Sequence, residues 1–354
     1  MKKNFLISTG GSGGHVIPAT ILCDHLSQEV NVIISTDKRG LKYLDKDIYK
    51  VEIVDTPKLG NIILLPFNLT IILFLILKSF FLLKKKKIEK IFSTGGYMSI
   101  PIILAAKILK LEIYLVEPNQ VLGRANKFFL NYCTKILCYS EQIKNFPEIF
   151  RDKIIVINPL VREKIYKLNF TQNFKSKFNL MIIGGSQGAD IFDGNLKNII
   201  VRVSKKFQIN IFHQTNERNI SNLNDFYNKN NVDNRIFTFD KNFTNMMKDT
   251  DLCITRAGAS TLAELSLLNI PFIAVPLPTS KDNHQFENAN FYRNNDCCWL
   301  LEQKNFEMKI EDILKDILND KSQFLKKKNN LKKLNYQNTW INVNQKILKI
   351  VNEN

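Results

Sequence analysis

The chain has 354 residues, 45% of them hydrophobic and 25 of them Phe, enough for two folded domains with real cores and too apolar for a disordered chain. Its 50 basic and 33 acidic residues leave a formal charge of +17, which suits anionic partners, yet no helix-turn-helix, zinc-finger or RNP pattern is present and nucleic acid is disfavoured. The six cysteines form no CxxC pair and only four histidines accompany them, which argues against a metal site or a disulfide framework and for buried thiols in a reducing cytosol.

In chain order, the first half alternates strand and helix patterns. Lys2 and Lys3 precede only Phe5-Leu6-Ile7 before glycines begin, too short for a signal peptide. Strands are predicted over 4–9, 30–36, 88–93, 113–116, 135–139 and 154–157, and helices over 16–28, 66–86, 101–109 and 123–132. Such alternation predicts a parallel, doubly wound sheet. Asn158-Pro159-Leu160-Val161-Arg162 stops the pattern, so a domain boundary is expected near residue 160. It restarts with strands predicted over 180–183, 209–213, 236–239, 252–255 and 272–275, and helices over 189–205 and 261–268. The tail places Trp340, Val343, Ile347 and Ile350 on one helical face and is expected to pack back on the first domain. The expected division is therefore 1–161 joined by 336–354, and 162–335.

The apolar stretch 62–83 runs into Lys84-Lys85-Lys86-Lys87. A spanning helix needs about twenty apolar residues. Pro66, Asn68, Thr70, Lys78 and Ser79 interrupt this one, and a span here would split the sheet. Two readings fit: a core helix with a solvated lysine run, or a helix lying on an anionic bilayer through Phe67, Ile71, Phe74, Leu75 and the lysines.

Three glycine clusters follow apolar runs: Gly10-Gly11-Ser12-Gly13-Gly14-His15, Thr94-Gly95-Gly96-Tyr97 and Gly184-Gly185-Ser186-Gln187-Gly188-Ala189. A strand that ends in glycines and opens onto a helix suits phosphate, because the backbone approaches closely and the helix N-terminus offers unpaired N–H groups. The first cluster matches GxGxxG only in part, with Val16 at the third glycine position and Asp37 as a candidate ribose ligand. His15, at a loop–helix junction, fits a general base or a ligand contact as well as a local cap. Arg256-Ala257-Gly258-Ala259-Ser260-Thr261 opens another helix, with Glu264 one turn on. That carboxylate could hold a ribose diol, or close a capping box with Ser260 or Thr261. Asp282 to Ala289 enters a helix with side chains able to read sugar hydroxyls, or with Asp282 as a plain cap.

Together these motifs, with Glu117-Pro118-Asn119 and Asn158 to Arg162, resemble the MurG family of bacterial peptidoglycan glycosyltransferases, in that family's order from residue 10 to residue 289. The resemblance implies a GT-B fold, two Rossmann-like domains facing a cleft, and inverting transfer of GlcNAc from UDP-GlcNAc to the MurNAc 4-hydroxyl of lipid I, giving lipid II, with no cofactor or metal. It implies a donor site built from Arg162, Ser186, Gln187, Gly188, Ala259, Ser260, Thr261, Glu264 and Gln285, with uracil near 239–243 and contributions from Ser12, Gly13, Gly14, His15 and Asn119. It places the acceptor pyrophosphate near Gly11, Ser12, Gly13, Gly95, Gly96 and Tyr97, and His15 and Asn119 beside the acceptor hydroxyl. It implies a peripheral position on the cytoplasmic face of the plasma membrane, with other cell-wall synthesis proteins as partners. His284 departs from the adjacent glutamines common at that position in the family, and Pro118 from its Glu-Gln-Asn. A diacylglycerol hexosyltransferase of the same fold and a UDP-GlcNAc 2-epimerase are the competing readings.

Overall fold

The computed structural model describes residues 2–57, 65–168, 177–185, 190–238 and 244–353. Two compact units divide the chain, Met1–Val161 with Thr339–Asn354, and Arg162–Asn338.

In the first unit the order is β1 (Asn4–Ser8), α1 (Gly13–Leu26), β2 (Asn31–Thr36), β3 (Val51–Ile53), α2 (Leu65–Lys85), β4 (Ile88–Ser93), α3 (Ile100–Ile108), β5 (Glu112–Glu117), α4 (Arg124–Phe129), β6 (Lys135–Cys138) and β7 (Ile154–Val156). The strands form one parallel sheet, β3-β2-β1-β4-β5-β6-β7. Its central strands β1, β4 and β5 are apolar on both faces, as a sheet covered on both sides requires. Leu6, Ile91, Leu115 and Ile136 point into a core with α2, α3 and α4. Their neighbours Phe5, Phe92, Tyr114 and Leu137 point into a second core beneath α1. There Phe92 stacks on Tyr114 at 5.0 Å.

The second unit begins with α5 (Glu163–Tyr166) and β8 (Phe178–Ile183), followed by α6 (Lys197–Ser204), β9 (Ile209–Gln214), α7 (Ile220–Lys229), β10 (Asp233–Phe237), α8 (Thr244–Met247) and β11 (Leu252–Thr255). It continues with α9 (Ala259–Leu267), β12 (Phe272–Ala274), α10 (His284–Asn294), β13 (Cys298–Leu300), α11 (Phe306–Asn319) and α12 (Lys321–Leu334). The parallel sheet runs β10-β9-β8-β11-β12-β13. Leu180, Ile182, Ile209, Ile211, Leu252 and Ile254 meet Phe306, Ile310 and Leu314 of α11 on one face. On the other, Phe272 meets Tyr292 of α10 edge-on at 5.3 Å.

The chain then returns to the first unit as α13 (Trp340–Asn352), whose Val343, Ile347 and Val351 join the core beneath α1. Trp340 stacks on His25 of α1 at 3.6 Å. The Lys90 ammonium, 2.9 Å from Glu112, donates to the carbonyl of Val351 at 2.8 Å and so meets the negative end of α13.

α2 is the crossover from β3 to β4. By length and composition its segment Pro66–Lys85 could cross a membrane. Here one side of it is core: Ile72, Leu75 and Leu83 are buried, each burial contributing about 1.5–3 kcal/mol. The opposite side exposes Phe67, Leu69, Leu73, Phe74, Leu77 and Phe81, with Phe67 65% and Phe74 67% exposed. The expected lipid-facing set is corrected accordingly. Leu75 lies in the core, Ile71 packs half-buried against it, and Lys86 pairs with Glu52 at 2.9 Å. Phe67, Phe74, Lys84, Lys85 and Lys87 stay on the surface, and Lys84 sits over the Phe80 ring.

Candidate functional site

In a parallel sheet, ligands bind beyond the carboxyl ends of the strands where the strand order reverses. The reversal in the first unit lies between β1 and β4, whose ends carry the first two glycine clusters. In the second it lies between β8 and β11, whose ends carry Gly184-Gly185 and Arg256-Ala257-Gly258. Each unit thus places two of the loops singled out by sequence at its own switch point.

In the first unit, helix α1 starts at Gly13 with Ser12 as N-cap, no side-chain capping bond and no acidic residue in its first turn. Such an N-terminus suits an anion. His15 lies in that first turn, half-buried. Its Nδ1 is 2.7 Å from the carbonyl oxygen of Thr94, in the second glycine cluster. A carbonyl only accepts, so Nδ1 carries a proton, and in the neutral ring Nε2 holds the lone pair. Through Nδ1 the ring ties the first glycine cluster to the second rather than capping its own helix. Gly96 has φ +86°, and a side chain there would strike Met98 and come within 3.8 Å of the His15 ring. The positive φ is what favours glycine there.

Asp37 is not placed to hold a ribose. It is 1% exposed, with Oδ1 accepting from the amides of Gly11 (2.8 Å) and Gly40 (2.9 Å) and Oδ2 from Arg39 Nε (2.8 Å) and Nη2 (2.6 Å). Burial pushes this carboxyl up, but the Gly11 amide, the Arg39 guanidinium and the Gly40 amide outweigh it and hold it below the usual range. Its task is to clamp the first glycine loop from behind. Arg39 in turn lies over the ring of Tyr97, 5.1 Å from its centroid.

Glu117 does the same at the end of β5. Its Oε1 accepts from the backbone amide (3.1 Å) and side-chain amide (3.0 Å) of Asn119. Its Oε2 accepts from the Gly123 amide (2.8 Å) and from Asn126 Nδ2 (3.0 Å). The half-buried Asn119 is therefore held in one orientation. Glu117 and Asn126 were not recognised as its support from the sequence, because a buried carboxylate at a strand end looks the same whether it meets ligand or backbone.

In the second unit, Gly185 has φ +83° and donates its amide to Gln214 Oε1 at 3.2 Å. No described atom lies within 4 Å of where a side chain would sit on Gly185 or on Gly258. Helix α9 is capped by Gly258 without a side-chain bond, so the capping box between Glu264 and Ser260 or Thr261 does not form. Ala259, Ser260 and Thr261 make the first turn of α9, half-buried. Glu264 instead takes a two-pronged bond from Arg162, Nε to Oε1 at 2.7 Å and Nη2 to Oε2 at 2.8 Å. The carboxylate is nearly buried and the guanidinium about a quarter exposed, so the pair presents its basic end outward.

Gln285 Oε1 accepts from the amides of Ala257 (3.2 Å) and Leu277 (3.0 Å), and Asn288 Nδ2 donates to the Ala257 carbonyl at 3.2 Å. Helix α10 thus pins the loop that opens α9. Two amide donors on one oxygen fix which way the Gln285 carboxamide points. The N-cap of α10 is Asn283, in the left-handed region like Asp282, so Asp282 is not the cap expected of it. Arg256 donates to the carbonyls of Val275 (3.1 Å) and Pro276 (3.4 Å), and burial lowers the pKa of its guanidinium. Ser186, Gln187, Gly188 and the stretch 239–243 lie outside the described residues.

Residues 5–138 match the glycosyltransferase family 28 N-terminal domain and residues 179–339 its C-terminal domain. Over the full length of both chains, the protein is 48% identical to the UDP-N-acetylglucosamine--N-acetylmuramyl-(pentapeptide) pyrophosphoryl-undecaprenol N-acetylglucosamine transferase of Pelagibacter ubique. It is 35% identical to the protein of the same name from Rickettsia canadensis, across 90% of this chain and 92% of that one. The structure of Acinetobacter baumannii MurG aligns with a TM-score of 0.78 at 21% identity, covering 99% of this chain and 100% of that one. A UDP-GlcNAc 2-epimerase from Neisseria meningitidis aligns at 0.70 with 13% identity, covering 99% and 100%. These two likenesses establish the GT-B type of fold for the paired sheets described above. The full-length identity goes further: the chain belongs to glycosyltransferase family 28, among the UDP-N-acetylglucosamine--N-acetylmuramyl-(pentapeptide) pyrophosphoryl-undecaprenol N-acetylglucosamine transferases.

Proposed function

We propose that the protein transfers GlcNAc from UDP-GlcNAc to the 4-hydroxyl of the MurNAc unit of lipid I, with inversion, forming lipid II. The observation that carries this is the full-length identity of 48% to a relative named for that transfer, joined to glycine loops at both switch points. In the reaction the acceptor oxygen bonds to the anomeric carbon as the bond from that carbon to the diphosphate breaks. UDP leaves with the electron pair, and the hydroxyl proton passes to a base.

The second unit takes the donor. The Gly184-Gly185 end of β8 and the first turn of α9 meet the diphosphate with amides, and Arg162 supplies charge beside them, so no metal is needed to stabilise the departing UDP. Glu264, already oriented by Arg162, receives the ribose hydroxyls. Gln285 uses its carbonyl on the protein and offers its NH2 group to the sugar. The stretch 239–243 and Ser186, Gln187 and Gly188 complete this site.

The first unit takes the acceptor, with its pyrophosphate at the N-terminus of α1 and along Gly95 and Gly96. His15 Nε2 is the base. Its Nδ1–H bond to Thr94 fixes the ring, and the imidazolium formed keeps that bond. Asn119, held by Glu117, orients the acceptor hydroxyl. The exposed apolar face of α2 beside Lys84, Lys85 and Lys87 rests on the anionic cytoplasmic surface of the plasma membrane, where other cell-wall synthesis proteins are the expected neighbours.

The test is incubation with UDP-GlcNAc and a lipid I analogue in chelator, followed by NMR of the product. A β-linked disaccharide from the α-linked donor supports the proposal. Retained configuration, or release of ManNAc and UDP without acceptor, contradicts it.

A further inference from the structure

Behind the Gly184-Gly185 end of β8 lies a polar cluster that the proposed chemistry does not use. Asp193 sits in the wide π-helical turn Phe192–Leu196 that leads into α6, a geometry commonly retained where a side chain must reach a particular place. Its Oδ2 accepts from Thr215 Oγ1 at 2.6 Å and Asn219 Nδ2 at 2.8 Å. Its Oδ1 lies 3.3 Å from Nε2 of the fully buried His213, a polar contact short of a well-aligned hydrogen bond. On its other side His213 Nδ1 meets the Tyr227 hydroxyl at 3.1 Å. Between His213 and Thr215, at the end of β9, stands Gln214, whose Oε1 receives the Gly185 amide.

We infer that Asp193 and His213 are positioning residues for the nucleotide sugar: they anchor the end of β9 from both sides of Gln214, so that its carboxamide fixes the Gly185 amide at the donor loop. This rests on the reading of the second unit as the donor unit. Two physical points support it. A carboxylate in the turn that follows a diphosphate loop would repel the ligand unless its charge were absorbed, and here the Thr215 and Asn219 donors absorb it. The alternating use of residues 213, 214 and 215, to Asp193, Gly185 and Asp193 again, lets one strand end transmit a fixed register to the loop.

The experiment is a double-mutant cycle of Asp193→Ala and Gln214→Ala, read by titration calorimetry with UDP-GlcNAc and by steady-state kinetics with both substrates. Each single change is expected to weaken UDP-GlcNAc about tenfold and to leave the KM for the lipid acceptor unaltered. The double change is expected to weaken it no further than about the larger single effect, since both act through one amide. Asp193→Asn keeps the Thr215 and Asn219 bonds and is expected to bind within about threefold of the parent. Thr215→Val serves where Asp193→Ala does not fold, and is expected to raise the donor KM alone. Single variants that bind as the parent does, or a double variant whose losses multiply, would overturn the inference while leaving the donor reading standing. A parent protein that does not bind UDP-GlcNAc would overturn the donor reading itself, and the positioning role with it.

Discussion

Asp37 and Glu264 are both nearly buried carboxylates beside glycine loops, and they are used differently. Asp37 accepts from the amide of Gly11 in the first glycine loop, from the Gly40 amide and twice from Arg39, so Asp37→Ala is expected to destabilise the protein by about 1–3 kcal/mol in urea unfolding. Among the described residues the Glu264 carboxylate is engaged by Arg162 alone, in an ion pair whose basic end reaches solvent. Glu264→Ala is therefore expected to weaken UDP-GlcNAc about 10- to 100-fold by calorimetry; unchanged affinity would make the pair a structural tie only. His15→Ala is expected to lower turnover by about 10²–10⁴-fold with donor binding nearly intact, and unaltered turnover would remove it as the base. A pH effect belongs to His213. Burial depresses its pKa despite Asp193, so the unfolded chain takes up a proton the folded ring resists. The stability of the parent relative to His213→Phe should be level above about pH 7.5 and should fall as the pH drops toward about 5.5, as urea unfolding at several pH values would show.

At the scale of elements, what could be read beforehand followed burial. The central strands β1, β4, β5, β8 and β11 are apolar on both faces, and their patterns stand out in the sequence. The edge strands β3 and β13 were missed, because three residues paired on one side leave little pattern. The first two glycine clusters at strand ends, and His15 in the first turn of a helix, were legible as positions because those signals are local. The clamps by Asp37 and Glu117 were not, since they depend on which backbone amides the fold brings to a carboxylate. Helix α2 was legible as apolar and basic, but its outward face had to come from packing: Leu69, Leu73, Leu77 and Phe81 join Phe67 and Phe74, while Leu75 turns inward. Replacing Lys84, Lys85 and Lys87 by Gln is expected to reduce binding to anionic liposomes, with the difference vanishing at high salt. Equal binding by both proteins would return the run to a solvated surface. For α13, Ile347→Ala is expected to cost about 2–5 kcal/mol, because the side chain fills the core beneath α1.

At the scale of the molecule, two parallel sheets each place a pair of glycine loops at a switch point, one pair beside an oriented histidine and the other beside an Arg–Glu pair. Likeness of fold alone would also suit an epimerase, as the alignment with the N. meningitidis protein shows. The identity along the whole chain and the apolar–basic face of α2 favour a transferase with a lipid acceptor. The most direct test supplies radiolabelled UDP-GlcNAc with a lipid I analogue and diacylglycerol as parallel acceptors, on liposomes. Label on the lipid I analogue alone is the expected result. Label on diacylglycerol, or ManNAc and UDP with neither lipid labelled, would contradict the proposed function and leave only the fold.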